Sequence, residues 1–299
     1  MIFNNTHVPL NTVKQLLKEA SKKIEYLDAE LLLAHVLGKS REFLATNPEQ
    51  TIDMMRVIKY KYLLKKRTSG MPLAYLTKHK EFYGFDFLVN KHTLIPRPDT
   101  EIMVEAVVNR LRATNDGQQI ILIDVGTGSG CIPIAIAKWT SDFRLRVSIF
   151  ATDISKQALK VTKRNAKKHN VPITFKHGNL LEPVLSSVVC NQLPFIITAN
   201  LPYITEQQYQ NSPTPEIHHE PKSALVADNN GLALYEELFK QIKQIVKCHI
   251  LHITCYCEID PSQSAQIAKL IGNILPETKL EIKKDLSGKD RVVIVSWGE

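Results

Sequence analysis

No apolar run in the 299 residues approaches the roughly 20 that a membrane-crossing helix requires, so no such span is expected. Residues 1–10 carry no basic region followed by an apolar core, and they are not the Arg-rich, acid-poor segment of a transit peptide. No targeting segment is therefore expected, and the cytoplasm is the expected compartment. Cysteine is scarce, with five residues: Cys131, Cys190, Cys248, Cys255 and Cys257. An odd number in a long chain with no export signal argues against a disulfide framework. Cys255 and Cys257 are separated by one residue, which is not the usual zinc-ligand spacing. In a strand they point to one face and read as small buried hydrophobes. The adjacent His218-His219 reads as a surface loop pair, and no metal site is expected. Internal repeats and low-complexity stretches are also lacking.

What is present is the composition of an ordinary globular protein, 44% hydrophobic and 23% charged, long enough for one large domain or two moderate ones. The formal net charge of +8 suits a nucleic acid, a ribonucleoprotein or an acidic protein partner. Basic residues crowd one stretch, Lys59, Lys61, Lys65, Lys66 and Arg67, with no acid between them. On a helix Lys61 and Lys65 share a face while Lys59 and Lys66 fall on another side, so the stretch reads as a solvated helix surface.

Residues from about Asn11 to Gly70 predict helices only. Val13, Leu16, Leu17 and Ala20 recur at helical spacing behind Asn11 or Thr12 as N-cap. Asp28 is placed to cap the next helix, which carries Leu31, Leu32, Leu33, Val36 and Leu37 and stops at Gly38. A third helix, from about Ile52 to Lys66, is predicted to turn Met55, Ile58, Tyr62 and Leu63 inward, and Gly70 and Pro72 end it. Together these make a small helical bundle.

The pattern then changes. Phe82, Phe85 and Phe87 around Gly84 predict a short hairpin. Two prolines in Leu94-Ile95-Pro96-Arg97-Pro98-Asp99-Thr100-Glu101 prevent a helix there, and Asp99 or Thr100 can cap the one that follows. From Gln119 the chain alternates. Strands are predicted at 120–125, 147–152, 173–176, 195–199 and 250–254, and helices at 132–139, 156–169, 232–246 and 261–274. Strands at 280–283 and 292–296, joined by a turn at Ser287-Gly288, close the chain as an antiparallel pair. The fold class is α/β: a mainly parallel sheet covered on both faces, with an antiparallel C-terminal pair and a small N-terminal helical-bundle domain.

Three motifs carry chemistry. Asp124-Val125-Gly126-Thr127-Gly128-Ser129-Gly130 follows a buried strand and opens a helix. Its glycines let the backbone pass close to a ligand, and the helix start presents free N–H groups. No Lys-Ser/Thr pair follows, which disfavours a phosphate-binding loop, and the spacing is not that of dinucleotide folds. Asp153, at the end of the next strand, can accept hydrogen bonds from both hydroxyls of a ribose, and it can also cap the helix that starts near Ser155. Asn200-Leu201-Pro202-Tyr203 follows the fourth strand, at the sheet edge where ligands of open α/β sheets bind. An amide or aromatic amine nitrogen is a poor nucleophile because its lone pair is delocalised. Acceptors for its N–H groups favour a pyramidal nitrogen with the lone pair aimed at a methyl group. The Asn200 side chain offers one acceptor and the Leu201 carbonyl a second. Pro202 stiffens that peptide, and Tyr203 offers a flat face for a planar substrate.

With these residues in view, the chain resembles class I (Rossmann-like) S-adenosylmethionine methyltransferases that act on nitrogen. Pro72-Leu73-Ala74-Tyr75-Leu76-Thr77, Glu81-Phe82-Tyr83-Gly84 and Ile95-Pro96-Arg97-Pro98-Asp99-Thr100-Glu101 narrow the resemblance to the HemK/PrmC family. Glu220-Pro221 with Ala224-Leu225, Gly231, Glu258-Ile259 and the segment from Asp285 to Arg291 extend it over nearly the whole chain. Enzymes of that family are protein-(glutamine-N5) methyltransferases that modify the Gly-Gly-Gln glutamine of peptide chain release factors. The resemblance implies three parts: a helical substrate-recognition domain at 1–70, a linker with a short hairpin at 71–98, and an S-adenosyl-L-methionine-dependent methyltransferase domain at 99–299. It sets Gly126, Thr127, Gly128, Ser129 and Gly130 along the methionine part of S-adenosyl-L-methionine, Asp153 at the ribose, and Asn179 and Leu180 at the adenine. Asn200, Leu201, Pro202 and Tyr203 hold the substrate glutamine, with Asn200 also touching the cofactor. Class I release factors are the implied partners of a monomer that makes no direct contact with nucleic acid or membrane.

Three departures from the family pattern stand out. Leu201 replaces a usual proline; the needed contact is a backbone carbonyl, so leucine permits the chemistry with a less rigid loop. Adenine N6-dimethylases of ribosomal RNA look similar here, with Asn-Leu-Pro-Tyr. Asn179-Leu180 replaces a frequent Asp-Trp, losing an aromatic contact, and Lys78 stands where a glycine is common. The shared tetrapeptide and the net charge leave a nucleic acid adenine N6 methyltransferase as one alternative. Leu180 and Leu201 leave a catalytically weak release-factor-binding protein as another.

Overall fold

The structure is a computed structural model that describes residues 11–113, 119–141, 146–188, 193–247 and 252–298. Residues 1–10, Cys190, Cys248 and the first two residues of the expected 250–254 strand lie outside the described residues. Contacts divide the chain into two units, Met1–Lys78 and His79–Glu299.

The first unit is helical, with α1 (Val13–Ala20), α2 (Tyr26–Leu37), α3 (Arg41–Thr46), α4 (Met54–Thr68) and α5 (Leu73–Thr77). Thr12 caps α1: its hydroxyl accepts from the Gln15 amide, and the Gln15 side chain accepts from the Thr12 amide, both at 3.3 Å. This reciprocal pair satisfies two otherwise orphaned donors. Glu25, not Asp28, stands at the N-cap of α2, and it makes no side-chain capping bond. Asp28 lies within the first turn and accepts from Arg67 of α4 at 2.6 Å, tying the two helices together. Gly38, left-handed at φ 64, ends α2. The six residues of α3, capped by Ser40, are too few to show a helical period in the sequence.

The inward face of α4 differs from expectation. Val57, Tyr60, Leu63 and Leu64 are buried, whereas Met55, Ile58 and Tyr62 are 77%, 56% and 56% exposed. Of the expected inward set, only Leu63 faces the core. The reason is Tyr60, whose hydroxyl donates to the Ala29 carbonyl at 3.2 Å. With that donor satisfied the ring can be buried, and Val57 and Leu64, three and four residues away, follow it inward. Lys59, Lys61 and Lys65 are solvent-exposed.

The second unit opens with the hairpin β1 (His79–Phe82) and β2 (Phe85–Leu88). Its loop residues Tyr83 and Gly84 take φ 51 and 79, the left-handed pair of a type I′ turn. Phe82 and Phe87 are buried in a core shared with α6 (Glu101–Ala113) and α7 (Cys131–Thr140). Burial of each such ring is worth roughly 1.5–3 kcal/mol. Within the 71–98 stretch, α5 therefore counts with the first unit and the hairpin with the second.

The remaining elements are β3 (Gln119–Val125), β4 (Arg146–Asp153), α8 (Lys156–His169), β5 (Thr174–His177), α9 (Glu182–Val188), β6 (Phe195–Ala199) and α10 (Glu206–Gln210). After them come α11 (Asp228–Gly231), α12 (Ala233–Lys247), β7 (Ile253–Glu258), α13 (Ser264–Ile274), β8 (Lys279–Lys284) and β9 (Asp290–Trp297). The sheet order is β5-β4-β3-β6-β7-β9-β8. The first five are parallel, and β9 runs antiparallel to both β7 and β8. The expected mainly parallel sheet with an antiparallel C-terminal pair is thus the observed architecture. The pair joins the sheet through β9, its second member, which lies between β7 and β8.

β3 shows why its sequence is continuously apolar. Ile121, Ile123 and Val125 enter one core cluster while Ile120 and Leu122 enter another, so alternate residues feed the two covered faces. β7 runs on to Glu258, four residues past the expected end at 254. Pairing with β6 on one edge and β9 on the other fixes its limits, with Ile253 opposite Phe195 and Cys257 opposite Ala199. Cys255 and Cys257 bury on one face with their sulfurs 3.5 Å apart, and Tyr256 joins the opposite cluster. Strand order reverses about β3, which has β4 on one side and β6 on the other. The carboxyl ends of these three strands therefore meet at a switch point, where such sheets open a crevice.

Candidate active site

The turn after β3 is built on three left-handed glycines, Gly126, Gly128 and Gly130, at φ 68, 56 and 80. A Cβ on Gly130 would lie 2.5 Å from the Thr162 methyl, so close packing of α8 also demands glycine there. α8 in turn grips the loop: the Thr162 hydroxyl donates to the Gly128 carbonyl at 2.8 Å, and Asn165 donates to the Ser129 carbonyl at 2.8 Å. Asn165 also exchanges hydrogen bonds with both main-chain groups of Leu88, which anchors the hairpin to the same turn.

The loop borders a cavity of about 410 Å³, within the range of small-molecule sites. Among the site residues inferred from sequence, Gly126, Thr127, Gly128, Ser129, Asp153, Asn179, Leu180, Asn200, Leu201 and Pro202 all line it. Gly130 and Tyr203 do not. Gly130 stands behind the wall as the N-cap of α7. The Tyr203 ring packs on the core and its hydroxyl donates to Glu258 at 3.2 Å.

Asp153, at the end of β4, is 9% exposed. Its Oδ2 accepts from the Gly128 amide at 2.9 Å and its Oδ1 from the Ser155 amide at 2.7 Å. Burial pushes its pKa up, and these two bonds pull it back. The Ser155 hydroxyl, not Asp153, caps α8 by accepting from the Ala158 amide at 3.1 Å. A carboxylate has about four acceptor positions, so Asp153 can hold the glycine turn and still accept two ribose hydroxyls. Leu180 is left-handed at φ 48, a conformation that costs a non-glycine residue about 1–2 kcal/mol. The neighbouring Asn179 side chain donates to Glu182 at 3.3 Å.

Asn200 follows the last residue of β6. Its Nδ2 donates to Thr100 Oγ1 at 3.0 Å and to Glu258 Oε2 at 2.9 Å, which occupies both amide hydrogens. The Leu201 amide donates to the Tyr235 hydroxyl at 3.3 Å, and Tyr235 donates to the main-chain carbonyl of Glu258. The Tyr203 carbonyl accepts from Gln263 at 2.8 Å. Gly231, left-handed at φ 81, packs against that carbonyl so closely that a Cβ would lie 1.9 Å from its oxygen. The tetrapeptide is thus fixed from β7, α12 and the residues preceding α13.

The other wall includes residues from the Leu94–Arg97 and Pro221–Ala224 segments. Glu220, 5% exposed, joins the two segments, accepting from the Ile95 amide at 3.0 Å and from the Arg97 guanidinium. Arg291 pairs with Asp99 at 3.1 Å and Asp285 at 3.0 Å. Thr100, Tyr235, Glu258 and Gln263 were not legible as site residues, because each supports the tetrapeptide from a distant part of the chain. The available signal was that Thr100, within Ile95–Glu101, and Glu258, within Glu258-Ile259, belong to the resemblance. His218 lies on the surface, edge-on to Tyr209 at 4.8 Å.

Two family models match separate stretches of the chain. Residues 10–77 match the family model of the PrmC N-terminal domain, and residues 98–212 that of ribosomal protein L11 methyltransferase (PrmA). A release factor glutamine methyltransferase from Enterococcus faecalis is 39% identical over 231 residues, covering 77% of this chain and 78% of the relative. One from Bacillus subtilis is 32% identical over 291 residues, covering 95% of this chain and 97% of the relative.

The chain belongs to the release factor glutamine methyltransferase family.

Among solved structures, the hMettl16 catalytic domain in complex with a MAT2A 3'UTR hairpin matches with a TM-score of 0.55 at 14% identity. It covers 89% of this chain and 91% of that one, a likeness of fold alone. Within the family, the leucine at 201 now has a structural account. Its side chain is buried, 3.1 Å from where a Gly126 Cβ would stand, and its amide has a partner in Tyr235 that a proline could not engage. Lys78 takes φ 65 after α5, a left-handed cap position that explains a usual glycine there.

Proposed function

We propose that this chain transfers a methyl group from S-adenosyl-L-methionine to the side-chain amide nitrogen of the Gly-Gly-Gln glutamine of peptide chain release factors. The observation that carries the reading is Asn200: it lines the cavity beside the glycine turn while both its amide hydrogens are held by the protein. Its carbonyl is the group left to accept a hydrogen bond from a substrate amide.

The residues present suit the cofactor. The left-handed turn from Gly126 to Ser129 would run along its methionine part, Asp153 would accept from its ribose, and Asn179 and Leu180 would border its adenine. Bound there, the cofactor supplies an electrophilic methyl group. The chain's own residues do the rest. The Asn200 side-chain oxygen and the Leu201 carbonyl accept from the two N–H groups of the glutamine amide, which turns its lone pair out of conjugation. Pro202 and the Gln263 bond to Tyr203 hold that loop still, so the nitrogen is presented in one orientation. The Tyr203 hydroxyl braces Glu258 from the end of the ring.

The helical first unit is the recognition module in this reading. Met54, Met55, Ile58 and Tyr62 stand exposed on α4 beside Lys59 and Lys65, a surface of mixed apolar and basic character suited to a protein partner. The enzyme acts as a monomer in the cytoplasm, where release factors work, and needs neither metal nor nucleic acid. No helix among the described residues is long and apolar enough to cross a membrane. Incubation with labelled cofactor and either release factor or RNA tests the reading. Label in the release factor glutamine supports it, and label in RNA alone sinks it.

A further inference from the structure

Glu258 ends β7 with 1% of its surface exposed. Its carboxylate meets donors: Asn200 Nδ2 at 2.9 Å, the Tyr203 hydroxyl at 3.2 Å, and the Thr100 hydroxyl. A carboxylate accepts and cannot donate, so the atom of Asn200 turned toward it is the nitrogen. Thr100 Oγ1 takes the second amide hydrogen at 3.0 Å. The Asn200 amide is therefore fixed in one of its two flips, with the carbonyl left for the cavity.

We infer that Glu258 is a positioning residue that holds the Asn200 carbonyl toward the substrate and, as an anion, polarises it into a stronger acceptor. The inference rests on the reaction proposed above. As the bond from nitrogen to the methyl carbon forms and the sulfur–carbon bond breaks, positive charge passes from sulfur to nitrogen, and the hydrogens on that nitrogen become stronger donors. An anion one amide away stabilises that charge better than a neutral group does, through a polarised chain of hydrogen bonds. The amide proton is lost to solvent after transfer, and Glu258 does not receive it.

The charge of Glu258 can change in the neutral range. Burial pushes its pKa up to about 7, against the pull of the Thr100 and Tyr203 hydrogen bonds and of Arg291. The other charged or titratable groups around it are Asp99 before α6, Arg291 of β9, Tyr203, Cys131 of α7 and Tyr235 of α12. Burial raises Tyr203, Cys131 and Tyr235 away from neutrality, and Arg291 stays charged against Asp99 and Asp285. Asp124, on β3, is also pushed up to about 7, so the test must separate the two carboxylates.

The experiment measures kcat for release factor methylation by the wild type and by Glu258→Gln between about pH 6 and 8, with cofactor affinity by calorimetry. Wild-type kcat is expected to fall about fivefold from about pH 8 to about pH 6, as an anion about tenfold more effective than the neutral acid gives way to it. Glu258→Gln is expected to sit near that low value at every pH, with unchanged cofactor affinity. A variant with wild-type kcat at the alkaline end, or one that keeps the pH dependence, overturns the inference. So does a parallel loss of kcat and cofactor affinity, the mark of a merely structural role. Should the variant not fold, the side-chain amide resonances of Asn200 in the wild type decide. They are expected to titrate with Glu258, near pH 7, and resonances flat through that range overturn the inference. A wild type that leaves release factor unmethylated at every pH overturns the proposed reaction instead, and the same resonances then test the link between Glu258 and Asn200 by themselves.

Discussion

Replacing Asp124 by asparagine should change how stability depends on pH, in a direction opposite to that of most carboxylates. Asp124 is 1% exposed. The Thr198 hydroxyl donates to its Oδ1 at 2.7 Å, and its Oδ2 is buried, with Thr127 as the other hydroxyl beside the carboxyl. Burial pushes its pKa up to about 7 from an ordinary 3.8. The folded protein therefore holds a proton that the unfolded chain releases at lower pH. The stabilisation from that proton is fully present below the unfolded pKa and is lost as pH rises through the folded one. Between about pH 5 and 8, roughly two units lie below the folded pKa, and at about 1.4 kcal/mol per unit the loss is about 2–3 kcal/mol. Asparagine cannot titrate. The stability difference between wild type and Asp124→Asn, from urea denaturation at a series of pH values, should swing by that amount in favour of the variant as pH rises. A constant offset, such as an unpaired amide donor in the variant, cancels in this comparison, as does the shared contribution of Glu258. A difference that stays flat across the range would refute the assignment of a neutral buried acid.

Two further substitutions separate binding from chemistry. Asn200→Ala should lower kcat by about 10²–10³-fold while leaving cofactor affinity within a few-fold, measured by steady-state kinetics and calorimetry; an unchanged rate removes Asn200 as the amide acceptor. Asp153→Ala should weaken cofactor binding by about 10–100-fold, the worth of charged hydrogen bonds, with a smaller effect on kcat at saturating cofactor; unaltered affinity removes the ribose assignment.

The parts of this molecule that were legible in its sequence are those governed by local rules. The Phe195–Ala199 strand and the Lys156–His169 helix lie where the periodicity puts them, because apolar runs and caps are read within a few residues. The three motifs meet because a parallel sheet brings the carboxyl ends of β3, β4 and β6 to one edge. What was not legible depends on partners far along the chain. Periodicity alone cannot choose between two apolar stripes on α4; the choice falls to Tyr60 finding the Ala29 carbonyl. A strand read at 250–254 ends too early to bring Glu258 beside Asn200, and only the register of β7 with β6 and β9 sets it there. Tyr203 looks like a stacking platform in a tetrapeptide, yet the buried acid behind it claims its hydroxyl.

The most direct test of the central claim is mass spectrometry of a class I release factor co-expressed with this chain, with and without Asn200→Ala. The account predicts a single added methyl group on the Gly-Gly-Gln glutamine, present with the wild type and strongly reduced with the variant. A release factor with no methyl on that glutamine, or one methylated equally by both chains, would contradict it.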